Sequence, residues 1–337
     1  MRPRATRILL LCLGLALAAY AAFVLSPWPS ALLTRMAFAY GASRTNAALA
    51  KHVPASLRER LDIPYGKAEE ARLDVYLPQG GAQPGRPTIV WVHGGGFVGG
   101  DRKDVGPYLK ILAGRGYPAV AVGYTRAPTA RYPEPVLQVN EALGFLQRES
   151  QRLGLDPSRI VLAGDSAGAH IAAQLAAGLT GKDYAELLGL KPTVGPATLR
   201  GVALFCGAFD PTALDLSGPF GSFIRSVLFA YFGVSNPLES DRITEAAVPR
   251  YVTETFPPSF ITVGNGDPLA PQSVVMAQAL QDRGVKVDTL FFPPETEPKL
   301  PSGPVRSSAV GSKAPLNSAT ARSAAGSMAG FSPSNSA

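Results

Sequence analysis

Five near-continuous apolar runs, RPTIVWVH, YPAVAVGY, RIVLAGDS, LRGVALFCG and SFITVGNGD, recur through the middle of the chain, each ending in glycine or a polar turn. A strand that is apolar at consecutive positions has no solvent face, so it belongs inside a sheet covered on both sides. The stretches between several of these runs, such as DVGPYLKILAGRG, VLQVNEALGFLQRES and the apolar AGAHIAAQLAAGL, carry helical spacing. ARLDVYLP precedes the series, and VKVDTLFF closes it behind the helical SVVMAQALQDRG. Alternating strands and helices predict an α/β fold, a mostly parallel sheet with helices on both faces. With 337 residues and 46% hydrophobic composition, one main domain with a small cap is the expectation.

Four segments are expected. Residues 1–25, MRPRATRILLLCLGLALAAYAAFVL, join a basic start to an uncharged apolar run from Ile8 to Leu25. At about 1.5 Å per residue that run can just cross a hydrocarbon core. It reads as a membrane anchor with the main domain outside the cytoplasm, or as a signal peptide cleaved near Ala19-Tyr20-Ala21 and released at the cell envelope. Residues 26–66 are expected to form short amphipathic helices, and residues 67–300 the main domain. Between about 209 and 258 the rhythm breaks into PTALDLSGPFGSFIRSVLFAYFGVSN, which is expected to form a small helical cap over the substrate site. Its aromatic residues Phe220, Phe223, Phe229 and Tyr231 are candidates for an apolar pocket, with core packing as the alternative. Residues 301–337 are dominated by Ser, Ala, Gly and Pro and contain no acidic residue, a composition that cannot pack a helix onto a sheet.

The formal net charge of +7 does not imply a nucleic-acid partner. Arg2, Arg4 and Arg7 supply three of the charges and Arg306, Lys313 and Arg322 three more, which leaves the body near +1 with no basic face for phosphates. The two cysteines are Cys12, inside the apolar segment, and Cys206, in a strand, so no disulfide within the domain is expected.

Three motifs carry chemistry. Gly164-Asp165-Ser166-Ala167-Gly168 stands between a strand and a helix, where a tight turn presents a serine hydroxyl at the sheet edge and the helix N-terminus favours developing negative charge. His93-Gly94-Gly95-Gly96-Phe97 ends another strand, and glycines without Cβ let backbone N–H groups approach a substrate oxygen. Gly95, Gly96 and Ala167 are the expected oxyanion donors; His93 and Gly94 are expected to support the loop. Gly264-Asn265-Gly266-Asp267-Pro268-Leu269 follows the strand SFITV and places a carboxylate where it can orient a catalytic base. Taken alone, each motif is also compatible with a plain turn.

In this order, spaced about 70 and 100 residues apart, HGGG, GDSAG and GDPL resemble the α/β-hydrolase fold, and within it the hormone-sensitive-lipase-like carboxylesterases. GYTRAPTARYPEPV is a loose version of a further family segment. The resemblance implies Ser166 as nucleophile, Asp267 as triad acid, no metal or organic cofactor, and a small-molecule ester as substrate. It also implies a histidine shortly after the last strand. Ser302 and Gly303 stand there instead, and the chain's three histidines are His52, His93 and His170. A serine without a base is a poor nucleophile at neutral pH. Two accounts remain open: a frameshift or assembly error has replaced the true C-terminus, or the protein is an impaired relative kept as a ligand-binding or interaction module. An amidase or formamidase would share the same motifs.

Overall fold

The computed structural model describes residues 3–296 except 84, 237, 238 and 294, with side chains from residue 7 onward. The expected tail, residues 301–337, together with Ser302, Gly303 and the last residues of the expected main domain, lies outside the described residues.

Two long helices, α1 (Pro3–Leu25) and α2 (Trp28–Ala50), lead into β1 (Leu57–Pro64) and β2 (Arg72–Pro78). There follow β3 (Thr88–Val92), α3 (Gly106–Gly114), β4 (Ala119–Val122), α4 (Glu134–Arg148), the single turn α5 (Ser150–Leu153) and β5 (Ile160–Asp165). Next come α6 (Ala167–Thr180), α7 (Lys182–Leu188), β6 (Leu199–Phe205), α8 (Gly221–Phe232) and the short α9 (Asp241–Glu245). β7 (Ser259–Val263), α10 (Ala270–Gln281) and β8 (Val287–Phe291) complete the chain as described.

The eight strands form one sheet in the order β1-β2-β4-β3-β5-β6-β7-β8. β1 and β2 pair antiparallel, as do β2 and β4, and the remaining pairs are parallel. Strand β3 explains the pattern: all five residues are buried, with Val90 and Val92 in the core on one face and Ile89 and Trp91 in the core on the other. Helix α3 covers the second face through Leu109 and Leu112; α4 and α6 cover the first. In α4 the buried residues Val136, Val139, Leu143 and Leu146 recur at helical spacing, and Pro135 sits in the first turn, where its missing N–H costs nothing. α6 is buried at every residue but the last, which its alanines and glycines permit at close range.

One segment departs from expectation. Residues 26–66 are not all helical: α2 is a single helix of 23 residues, and Leu57–Pro64 is a strand at the sheet edge. That strand reads LRERLDIP and is exposed along most of its length, so it lacks the apolar alternation by which a half-buried strand is recognised. It is recruited by its register against β2, from Leu57 opposite Pro78 to Pro64 opposite Arg72.

Candidate active site

The three motifs follow the carboxyl ends of β3, β5 and β7 and so gather at one end of the sheet, as parallel strands arrange them in open α/β folds. β5 ends at Asp165, and Ser166 turns the chain into α6 with φ 52° and ψ −118°, a left-handed conformation that a non-glycine residue adopts only when its surroundings enforce it. The Ser166 N–H donates to the Phe205 carbonyl (2.8 Å), and the His170 N–H donates to the Ser166 carbonyl (3.1 Å) as the first helical bond. Both flanking glycines are required by contact. A Cβ on Gly164 would lie 2.5 Å from the backbone of Gly168, and one on Gly168 would lie 2.1 Å from the Val92 carbonyl oxygen. The elbow is therefore wedged directly against the end of β3.

From that end the glycine loop begins. Gly95, Gly96 and Phe97 take consecutive positive φ values, and the Gly99 N–H donates back to the Gly95 carbonyl (2.8 Å). Phe97 is held in this conformation by stacking on Tyr231, with ring centroids 3.9 Å apart. His93 is buried; its Nδ1 donates to the Gly94 carbonyl (2.8 Å) and its ring stacks on Tyr124, whose hydroxyl donates to the His93 carbonyl. Burial holds its pKa below the ordinary histidine value.

Asp165 was not anticipated from sequence. Its Oδ1 accepts from the Trp91 indole N–H (2.9 Å) and from the Gly94 N–H (3.2 Å), so one carboxylate ties the elbow to the glycine loop. The parallel register, Trp91 beside Ala163 and Val92 beside Gly164, sets up that contact. Only the pairing of β3 with β5 would have revealed it.

Asp267 follows β7. Its N–H donates to the Gly264 carbonyl, and its Oδ1 accepts from the Leu269 N–H (2.7 Å). In the same turn the Asn265 amide donates to the carbonyls of Pro293 (3.0 Å) and Thr296 (2.8 Å), which binds the segment after β8 to the Asp267 turn.

Gly94, Gly95, Gly96, Ser166, Ala167 and Asp267 all line one cavity of about 890 Å³, and His93 borders it. His170 does not. It is fully buried, its Nε2 donates to the Ala246 carbonyl (2.7 Å), and burial pushes its pKa down to about 4. His52 lies exposed just beyond α2, away from the cavity lining. Of the four cap aromatics, Phe220 and Phe223 line the cavity, whereas Tyr231 is core and Phe229 does not reach the lining. Among the described residues no group of three or more His, Cys, Asp or Glu is placed to hold a metal ion.

The opposite wall comes from α2. Phe38, Ala42 and Thr45 line the cavity, and the Phe38 ring lies 6.4 Å from that of Phe223. Arg35 clamps the helix in place, donating through Nε to the Val98 carbonyl (2.7 Å) and through Nη2 to the Ala127 carbonyl (3.1 Å). Cα of Arg35 and the Phe38 ring crowd Gly99, at 3.4 and 3.0 Å from where its Cβ would be.

Asp104 also borders the cavity. Burial, and then repulsion from Asp101, push its carboxyl up to about 6, although its Oδ2 accepts from the Asp101 N–H (2.9 Å). A carboxyl whose folded pKa is raised destabilises the fold once it ionises, so the penalty is absent below the unfolded value near 4 and grows as pH rises through 6. Asp104→Asn keeps the acceptor and removes the charge. Thermal melts should show the variant more stable at pH 7.5 by about 1 kcal/mol, allowing for solvent screening, and equal to the parent at pH 4.

A family model described as the alpha/beta hydrolase fold matches residues 89–296, the stretch from β3 to the end of the described residues. The chain belongs to that family, in agreement with the resemblance carried by the three motifs. It is 30% identical over 245 residues to an esterase of Mycobacterium tuberculosis, LipQ, covering 69% of this chain and 56% of that protein. A kynurenine formamidase of Danio rerio is 37% identical over 116 residues, covering 34% of this chain and 38% of the relative. The chain thus spans a little over half the length of the first of these relatives. Among solved structures, esterase B from Lactobacillus rhamnosis superposes with a TM-score of 0.68 at 24% identity, covering 79% of this chain and 84% of that one, a likeness of fold.

Proposed function

We propose that this protein is a serine hydrolase of carboxylic esters with small to medium acyl groups, impaired by the lack of a histidine beside its nucleophile. The observation that carries the reading is the strained Ser166, set at the N-terminus of α6 in a cavity it shares with the glycine loop and Asp267. In this reading Ser166 Oγ attacks the acyl carbon, and the N–H groups of Gly95, Gly96 and Ala167 receive the oxyanion. The alcohol leaves with a proton, and water then cleaves the acyl-enzyme to return the serine. Asp267 would orient the base that takes the serine proton. His93 is tied to Gly94 on the oxyanion side and His170 is tied to Ala246, so neither serves. The segment that Asn265 fastens beside Asp267 is where a base would be delivered.

Exogenous imidazole can stand in for the missing side chain. With p-nitrophenyl butyrate, imidazole should raise turnover by the parent chain more than about tenfold above Ser166→Ala under the same conditions, a fraction of the ~10²–10⁴ a positioned base contributes. Equal rates for the two proteins would sink the hydrolase reading and favour a binding module on the same fold. The formamidase relative supports a second reading, an amide or formamide substrate, which matched esters and formamides separate under the same imidazole supplement.

A further inference from the structure

Helix α2 buries one side and leaves the other bare. Ala31, Arg35, Phe38, Ala42 and Thr45 face the body, while Leu32, Leu33, Met36 and Tyr40 form an exposed stripe away from it, with Met36 and Tyr40 69% and 68% exposed; Trp28, exposed at the start of the helix, lies beneath the Arg35 guanidinium, whose carbon is 5.7 Å from the ring centre. A helix apolar on both sides is covered on both sides. α1 does not provide the cover, since its own side chains are exposed almost throughout. α1 is instead long and apolar enough, from Arg7 to Leu25, to cross a membrane, as a signal sequence also would be. Only Ser26 and Pro27 separate its end from Trp28, so a spanning α1 leaves α2 starting at the bilayer surface. The composition of α2 matches that location. Trp28 and Tyr40 are residues that settle at the membrane interface. No acidic residue occurs before Glu59, whereas the exposed Arg44 and Lys51 are basic, which suits anionic headgroups.

The stripe adjoins the mouth of the cleft. Ala37, Gly41 and Arg44, on one flank of α2, line the cavity, and the exposed rings of Phe220 and Phe223 form the facing lip. We propose that the outer face of α2 lies in the interface of the bilayer that α1 enters, so that the cleft opens toward lipid and takes an acyl ester dissolved in the membrane. The substrate half of this statement rests on the ester-hydrolase reading; the placement of α2 does not.

Two measurements separate the halves. The chain has two tryptophans, Trp28 and the fully buried Trp91. The full chain carrying Trp28→Phe and Tyr40→Trp is reconstituted in phosphatidylcholine–phosphatidylglycerol vesicles containing lipids brominated near the headgroup end of the acyl chain. Emission from the indole at position 40 should fall by half or more, whereas Trp28→Phe with Leu187→Trp, on the distant α7, should be unaffected. If position 40 is unquenched by bromolipid but open to acrylamide, α2 stands off the membrane and the proposal is overturned. Protection from both quenchers means a second copy of the chain covers the stripe, which overturns it equally. For the substrate, Met36→Glu with Tyr40→Glu should lose at least tenfold in imidazole-supported hydrolysis of p-nitrophenyl palmitate held in vesicles and keep its rate on soluble p-nitrophenyl butyrate. Equal loss on both esters, or none on either, refutes the lipid-borne substrate. Parent turnover that never exceeds Ser166→Ala removes the substrate half together with the hydrolase reading, while the quenching result still decides where α2 lies.

Discussion

Gly168→Ala should unfold the protein's central contact. The new Cβ would sit 2.1 Å from the Val92 carbonyl oxygen and 2.5 Å from that of His93, distances that no relaxed structure tolerates. Both neighbours are backbone at the end of β3, a strand hydrogen-bonded on both sides by β4 and β5, so they cannot withdraw without breaking ladder bonds. α6 must lift instead, and it carries a nearly fully buried surface with it. The loss should exceed about 3 kcal/mol, beyond the usual range for one added methyl group in a core. Urea unfolding measures it, with Gly195→Ala as the control because a Cβ there meets nothing within 4 Å. An unchanged midpoint for Gly168→Ala would mean that the elbow does not rest on β3 as described. The same contact explains why the serine stands in a left-handed conformation: the helix behind it is pinned, and Ser166 absorbs the turn.

Asp74→Ala should be comparably damaging for an electrostatic reason. Asp74, on β2, is 2% exposed, and its Oδ1 accepts from Arg102 Nε (3.1 Å) and from the Asp62 N–H (2.7 Å). Arg102 is itself buried, with Asp62, at the surface, as its other carboxylate partner. Removing one member of a buried pair leaves the other charge uncompensated and costs about 3–5 kcal/mol. Replacing both members by apolar residues of similar size, Asp74→Leu with Arg102→Met, should recover much of that loss, since desolvation of the pair offsets most of its attraction. If denaturant titration shows the double variant as unstable as Asp74→Ala, the hydrogen bond that Asp74 accepts from the Asp62 N–H, rather than the charges of the pair, holds this corner.

The core strands were legible because burial on both faces leaves a mark in sequence: TIVWV and RIVLA have no polar position to expose. The edge strand β1 was not legible. LRERLDIP is mostly solvated, and it is a strand because β2 offers it unpaired hydrogen-bonding groups, a circumstance its own residues do not record. The cap aromatics divided for a similar reason. Phe223 lines the cleft and Tyr231 stacks on Phe97, yet both belong to α8, and only the direction in which that helix packs separates them. Asp165 stood unremarked inside a recognised motif because its partners, Trp91 and Gly94, lie more than 70 residues away.

By itself the sequence determined the fold class, the elbow serine and the glycine loop, because each depends on chemistry confined to a few adjacent residues: β-branched runs, glycines that permit close approach, and a strand passing into a helix. It also determined that the histidines number three and that none follows His170. Tertiary structure decided what those residues meet. It brought Asp267 to the cavity of Ser166, tied His93 and His170 to backbone carbonyls, and folded α2 back as a wall of the cleft through the two bonds of Arg35. Such contacts join residues far apart in the chain, and their energies depend on distances set by the whole sheet rather than by any local run of residues.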